Sequence, residues 1–167
     1  MSSDTLSRRH FMQGSGALAG SSLLRLSVPA ALAAAQAACS ARDEGATFAT
    51  LTAAEAVELE AIAARILPTT STPGAREAGV IYFMDNVFGA QLAHMLPGVR
   101  GMLAGFQAGI ADRFAGTVQF SDLSEADQDT WIGENETTQF FSMAKGLTLM
   151  GFFAMSSYGG NKDNIAW

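Results

Sequence analysis

The sequence predicts an all-α protein, a single small domain of about five helices that follows an N-terminal segment of different composition. Apolar residues recur at three- and four-residue steps, which is the period of an amphipathic helix. Thr or Ser followed three residues later by an acidic residue marks two helix starts, and no stretch has the alternation expected of a strand. The chain has 167 residues, a length that suits one domain.

The first 38 residues are typical of a secretory signal, with a basic start, an apolar middle and small residues before the cleavage site. Arg8 and Arg9 are followed, after one residue, by Phe11, which matches the twin-arginine export pattern. Residues 14–38 are mostly Ala, Leu, Gly and Ser and contain no acidic residue. We therefore predict a twin-arginine signal peptide over residues 1–38 and a periplasmic location.

Other interpretations of this segment stay open. An ordinary signal could carry adjacent arginines by chance, and a membrane-spanning helix would need roughly 20 apolar residues, a run that Arg25 and Pro29 interrupt here. Cleavage is predicted between Ala33 and Cys39. Lipidation of Cys39 is a second possibility, although Gln36 stands where a lipobox has Leu or a similar residue.

The remaining chain is acidic. Three of the 10 basic residues and one of the 16 acidic residues lie in the signal, which leaves seven basic against 15 acidic residues. A protein of this charge repels nucleic acid and anionic lipid, so neither is expected as a direct partner. Cys39 is the single cysteine, which excludes an intrachain disulfide. Residues 39–50 are predicted to be a flexible lead-in, and residues 51–167 the helical domain.

The first two helices are predicted from start and stop signals. Thr52 and Glu55 form a capping box, and Pro68 ends the helix that follows. A turn at Pro73-Gly74 separates it from a second helix, which is predicted over residues 75–89.

The third helix is predicted over residues 97–116, with an apolar stripe at three- and four-residue steps. Its glycines at positions 101, 105 and 109 are four residues apart, a spacing that we expect to let another backbone approach closely. Ser124 with Asp127 then begins a short helix that Trp131 anchors.

The last helix is predicted within residues 136–157 and is apolar on every side. Between Glu136 and Lys162 the only charged residue is Lys145. A helix that is apolar all round is either central in its own domain or covered by something else. A partner on its outer side is therefore one of two expectations.

Residues of the kinds that carry catalysis are scarce. His94 is the only histidine after the signal and lies in a predicted loop, and no His, Cys and carboxylate cluster suggests a metal site. Motifs for a serine nucleophile, a dinucleotide or haem are lacking. The acids Glu55, Glu58 and Glu60 are expected in the first turns of a helix, where capping and solvent suit them. A buried acid pair for general acid–base catalysis stays an open alternative. The prediction is that this chain itself has no catalytic, cofactor-binding or metal-binding residue.

Three segments together resemble the gluconate 2-dehydrogenase subunit 3 family: residues 51–85, 120–131 and 140–167. Members of that family often continue a few residues past the final Trp, whereas this sequence ends at Trp167, which predicts a short or clipped tail. The shared features are Leu51-Thr52, Glu55, Ile66-Leu67-Pro68, Pro73-Gly74-Ala75, Ala78-Gly79-Val80, Phe140-Phe141, Leu147-Thr148, Gly151 and the turn Tyr158-Gly159-Gly160-Asn161.

The resemblance implies the small subunit of a periplasmic flavin-dependent sugar dehydrogenase. In that family the large subunit is similar to glucose-methanol-choline oxidoreductases, carries FAD and the catalytic histidine pair, and often passes electrons to a c-type cytochrome. Related complexes oxidise gluconate, glucose or the 3-hydroxyl of glucosides. The small subunit carries the twin-arginine signal, so this chain is expected to aid folding of the flavoprotein and to take it through the translocase.

On the same resemblance we expect the last helix and the turn after it to contact the large subunit. One phenylalanine of each adjacent pair would face the core and the other the partner, and Tyr and Trp are common interface anchors. An alternative is that the turn pins Trp167 onto the core of its own chain. The predicted contact residues are Phe140, Phe141, Phe152, Phe153, Tyr158, Gly159, Gly160, Asn161 and Trp167.

Two other functions remain as alternatives. A stand-alone exported protein that binds a small ligand between its helices predicts a formed pocket. A small enzyme that uses His94 and nearby acids predicts activity in the isolated chain.

Overall fold

The computed structural model describes residues 47–167, and throughout this range the chain forms helices, turns and loops without any strand. The prediction of an all-α domain of about five helices is thereby confirmed. The predicted export signal and Cys39 lie outside the described residues. The helices of ten or more residues are α1 (Ala53–Ile66), α2 (Val80–Gly89), α3 (Leu96–Gln107), α4 (Glu125–Asn135) and α5 (Gln139–Phe153).

Shorter helical turns connect these helices. Ile110–Arg113 is one turn of α-helix after α3. The 3-10 turns are Ala93–Met95, Phe120–Asp122, Ser156–Tyr158 and Lys162–Asn164.

The ends of α1 follow the predicted signals. Thr52 Oγ1 accepts a hydrogen bond from the backbone N–H of Glu55 at 3.2 Å, and Glu55 Oε2 accepts one from the N–H of Thr52 at 2.8 Å. These reciprocal bonds satisfy two N–H groups that the first helical turn leaves unpaired. The helix ends at Ile66, directly before Leu67 and Pro68.

Helix α2 begins at Val80, later than predicted. Gly79 precedes it with φ of +64°, in the left-handed region that favours glycine. A residue in this conformation cannot continue a right-handed helix, so residues 75–79 form turns instead. The Ala75 N–H donates to the Leu67 carbonyl at 2.9 Å, which folds the loop back onto the end of α1.

The expectation that another backbone approaches the glycines at positions 101, 105 and 109 is wrong. A Cβ built on Gly101 or Gly105 would meet no atom within 4 Å, because both glycines lie on the outer side of α3. The buried residues of α3, among them Val99 and Leu103, lie on the opposite side. Gly109 follows the end of α3, and a Cβ there would approach a ring carbon of Trp131 to 2.8 Å.

An aromatic cluster holds α3, α4 and α5 together. The Phe106 ring lies 4.9 Å from that of Phe140, 5.5 Å from that of Phe120 and 6.0 Å from that of Trp131, measured between centroids. Trp131 Nε1 donates to the Phe106 carbonyl at 3.1 Å, so its polar atom is satisfied although the side chain is buried. The expected anchoring role of Trp131 in α4 is confirmed.

A salt bridge between α1 and α3 makes stability depend on pH. Arg100 Nε donates to Glu55 Oε1 at 2.6 Å, and this bond is the main reason why the pKa of Glu55 lies below its ordinary value of 4.5. A carboxyl group with a lowered pKa stabilises the fold above its unfolded-state pKa, and this stabilisation is lost as the pH falls through the folded-state pKa.

We therefore expect the melting temperature to fall as the pH drops below about 4.5, and to fall less steeply in Arg100→Gln. The effect is small because the pair is partly exposed and screened by salt. Melting curves across the acidic range measure it, with Lys145→Gln as a control that removes one positive charge elsewhere. Equal slopes in the wild type and Arg100→Gln would contradict this explanation.

Candidate functional site

Helix α5 packs into the domain along one side only. Its buried residues are Phe140, Ala144, Leu147, Thr148 and Gly151. The single polar side chain among them is satisfied within the helix, since Thr148 Oγ1 donates to the Ala144 carbonyl at 2.8 Å. Gly151 allows Phe83 of α2 to approach, because a Cβ on Gly151 would lie 2.9 Å from the Phe83 ring. This side of α5 is part of the hydrophobic core.

The outer side of α5 changes character along its length. Its first half presents exposed polar residues, including Ser142 and Lys145. Its second half presents Leu149, Met150 and Phe153, all exposed. Residues three and four positions apart are neighbours on a helix surface. Phe153 is three positions after Met150 and four after Leu149, so these three apolar side chains form one patch.

Exposed apolar side chains continue in the segment that follows α5. Met155, Tyr158 and Trp167 are exposed, and Trp167 is the most exposed of them at 69%. Large exposed apolar side chains elsewhere in the described part of the chain are Val57, Met95 and Val118. We call the six exposed side chains of Leu149, Met150, Phe153, Met155, Tyr158 and Trp167 the apolar face.

The two phenylalanine pairs each place one ring deeper than the other. Phe140 is buried, and Phe141 is half-buried. Phe152 is half-buried and Phe153 is exposed, with their rings 5.1 Å apart in an edge-to-face arrangement. One alternative expected Trp167 to pack into the core of its own chain. Its side chain is exposed instead. Whether any of these residues contacts a partner stays a prediction.

Gly159, Gly160 and Asn161 are buried within this chain. Gly159 has φ of +99° and lies against the backbone of Tyr82, where a Cβ would come within 2.9 Å of the carbonyl oxygen. A Cβ on Gly160 would collide with the carbonyl oxygen of Gly151. Only glycine therefore lets the segment after α5 lie this close to α2 and α5.

Hydrogen bonds fix the same segment. Asn161 Oδ1 accepts from the Ala166 N–H at 2.9 Å, and the Lys162 N–H donates to the Ala78 carbonyl at 3.0 Å. Asn86 Nδ2 donates to the Tyr158 carbonyl at 3.2 Å. The turn from Gly159 to Asn161 thus positions the exposed Tyr158 and Trp167 on either side of it.

Glu58 is a buried acidic residue, which corrects the expectation that it lies in a capping or solvated position. Its carboxylate accepts hydrogen bonds from Gln107 Nε2 at 2.6 Å, Phe120 N at 3.0 Å and Ser121 N at 3.3 Å, and from Ser121 Oγ at 2.5 Å. All of these donors belong to the chain itself, so the carboxylate links α1 to α3 and to the Phe120–Asp122 turn.

Asp85 is the second buried acid, and sequence reasoning did not single it out. Its carboxylate accepts from three successive backbone N–H groups, those of Ala49, Thr50 and Leu51, at 3.0, 2.9 and 2.8 Å. It fixes the start of the domain onto α2. Both buried acids therefore have structural partners that account for their burial.

The enzyme and ligand-binding alternatives depend on residues that either lie apart from one another or already have hydrogen-bond partners in this chain. His94 is exposed in the Ala93–Met95 turn. A groove of about 260 Å³ lies between Met102 and Phe106 of α3 and the start of α5, which is below the roughly 300–1,000 Å³ of typical ligand sites. Of its polar lining, Asn135 donates to the Trp131 carbonyl and Thr138 to the Asn135 carbonyl.

Two further features concern residues 47–167 as a whole. No three His, Cys, Asp or Glu side chains within this range lie close enough together to hold a metal ion. None of its helices has the length and apolar character needed to cross a membrane.

Comparison with known proteins bears on the resemblance drawn from the sequence. Neither the curated proteins nor the solved structures contain a match to this chain. The family model described as gluconate 2-dehydrogenase subunit 3 matches residues 53–167, which include all five helices. Because this match covers more than half of the 167 residues, the chain belongs to the gluconate 2-dehydrogenase subunit 3 family.

Proposed function

We propose that this chain is the non-catalytic small subunit of a flavin-dependent sugar dehydrogenase complex in the periplasm. The observation that carries the proposal is the family match over residues 53–167. A subunit family of a multi-subunit gluconate dehydrogenase implies a catalytic partner. The proposed partner is a flavoprotein of the glucose-methanol-choline type that holds FAD and oxidises gluconate, glucose or the 3-hydroxyl of a glucoside.

The buried acids of this chain support a structural role. Glu58 and Asp85 together accept hydrogen bonds from seven donor groups of their own chain. A carboxylate that holds so many fixed donors is committed to the fold, whereas a general base needs a free position toward its substrate.

Electron transfer onward, in this proposal, uses a c-type cytochrome as a third subunit with haem c as its cofactor.

Export is the second part of the proposed function. A flavoprotein takes up FAD in the cytoplasm and has to cross the membrane folded, which is what the twin-arginine route allows. The pattern at Arg8, Arg9 and Phe11 would supply the address for both subunits. Association of the complex with the membrane, or lipidation of Cys39, would keep it at the membrane surface.

The export proposal is tested by replacing both signal arginines with lysine in cells that express the dehydrogenase subunits together. We expect Arg8→Lys/Arg9→Lys to leave this chain and the flavoprotein in the cytoplasm, with sugar dehydrogenase activity lost from the periplasm. Arg25→Lys is the matched control, since it makes the same chemical change elsewhere in the same signal. Normal amounts of periplasmic flavoprotein in the double variant would refute co-export.

A further inference from the structure

The geometry points to the apolar face as the surface on which the catalytic subunit docks, an inference that rests on the function proposed above. Phe153 and Trp167 are its principal anchors. The turn from Gly159 to Asn161 acts by positioning Tyr158 and Trp167, and does not itself contact the partner.

The apolar face is large and is formed by the end of α5 and the segment that follows it. Gly160 lies against the carbonyl group of Gly151, so the turn after α5 packs against the buried side of the last turns of the helix, whose outer side carries Met150 and Phe153. The six side chains are between 37% and 69% exposed. Since large side chains such as aromatics have roughly 150–250 Å² each, the face exposes several hundred square ångströms. This approaches the roughly 800 Å² that each partner contributes to a standard interface.

Apolar patches of several hundred square ångströms on a protein surface are often functional. Its composition also fits an interface. Met, Phe, Tyr and Trp are enriched in the cores of interfaces, and aromatic side chains supply contact area at little cost in conformational entropy.

The segment that carries the apolar face has few charged residues. Residues 47–136 contain 12 acidic and four basic residues, whereas residues 137–167 contain one acidic and two basic residues. Burying an unpaired carboxylate costs free energy. Docking through the apolar face would remove almost no carboxylate from water, so it largely avoids this cost. Residues 86–111 also lack acidic residues, but Met95 is the one large apolar side chain that is exposed there, at 38%.

The same charges favour a different protein over a second copy of this chain. Residues 47–167 carry 13 acidic against six basic residues, so two copies repel each other. A catalytic subunit is the partner that family membership implies. A homodimer through the apolar face is retained as an outcome of the test.

The outer side of α3 is the competing surface. Gly98, Gly101 and Gly105 lie there with open space beyond them, next to the groove that Met102 and Phe106 line. No large apolar side chain of α3 is exposed, and Arg100 is already paired with Glu55, so this surface offers no aromatic anchor of the kind that dominates binding energy.

The test uses the complex, purified through a tag on this chain after co-expression with the catalytic subunit. Phe153→Glu and Trp167→Ser are the test variants, and Val118→Glu is the control because Val118 is 64% exposed outside the apolar face. We expect affinity for the catalytic subunit to fall at least about tenfold in each test variant and to stay unchanged in the control. Unchanged melting temperatures of the variant chains will establish that folding is intact.

A second readout separates loss of an interface from loss of folding. At high ionic strength, which screens the repulsion between copies, the isolated wild-type chain should aggregate through its uncovered apolar face. Phe153→Glu should make the chain more soluble under these conditions while it weakens the complex. A misfolded variant would instead be less soluble and would also bind the catalytic subunit more weakly.

The outcomes distinguish this inference from the proposed function. If the wild-type chain binds no catalytic subunit, the proposed function fails. If the wild type binds and both test variants bind equally well, the proposed function stands and the apolar face is not the docking surface. A stable homodimer that Phe153→Glu dissociates, with binding of the catalytic subunit unaffected, would also overturn the inference.

Discussion

Replacing Glu58 by alanine is expected to lower the free energy of unfolding by about 3–5 kcal/mol, a large fraction of the roughly 5–15 kcal/mol that stabilises a typical domain. Removal of the carboxylate leaves the N–H groups of Phe120 and Ser121 without an acceptor in a buried site. Gln107 Nε2 and Ser121 Oγ also lose their partner. Buried donors that lack an acceptor cost their full desolvation free energy.

Urea denaturation of the isolated domain measures this effect. Glu60→Ala is the matched control, because Glu60 is half-buried on the same helix and should cost only a few tenths of a kcal/mol when replaced. Glu58→Gln should fall between the two, since one of its oxygens is replaced by an amide group that cannot accept. Similar stabilities of Glu58→Ala and Glu60→Ala would contradict the structural role of Glu58.

Replacing Asp85 by alanine is expected to cost about 2–4 kcal/mol. The three N–H groups of Ala49, Thr50 and Leu51 precede α1 and have Asp85 as their acceptor. Without it, the start of the domain should detach from α2 before the rest unfolds. Limited proteolysis should then cut near residue 50 faster than in the wild type, and the melting temperature should fall.

Asp112→Ala controls for the loss of a negative charge, since Asp112 is exposed. Asp85→Asn retains one acceptor oxygen and should recover part of the stability. If proteolysis near residue 50 were no faster in Asp85→Ala than in the control, the three hydrogen bonds would not be what holds this segment.

Helix starts and stops could be predicted from the sequence because their causes are local. The capping box of Thr52 and Glu55 and the stop at Pro68 involve residues a few positions apart. The start of α2 was missed because it depends on the left-handed conformation of Gly79, which glycine allows but does not require.

The buried acids depend on distant parts of the chain. Glu58 receives its donors from Phe120 and Ser121, more than 60 residues away. One signal could have indicated burial: Glu58 lies four positions before Ile62, and Asp85 four positions after Ile81, so each acid shares a helix face with a core residue. The partners that make burial tolerable are visible only in the folded chain.

The sequence could indicate a docking surface on the last helix, but not which of its residues are exposed. An apolar last helix with few charges indicated either a central position or a covering partner. Which residues face outward depends on how α5 packs against Phe83 and Phe106, and the sequence contains no such information. In particular, Phe140 and the turn from Gly159 to Asn161 are internal, whereas Leu149, Met150 and Met155 are exposed.

The central claim is that this chain functions as a subunit of a flavoprotein dehydrogenase. The most direct test is to purify the tagged chain from the periplasm of cells that also express its genomic neighbours, and to record the flavin absorbance of the product. We predict a yellow complex with flavin and this chain in equal amounts. A colourless, folded and monodisperse single chain would contradict the claim and favour a stand-alone ligand-binding protein.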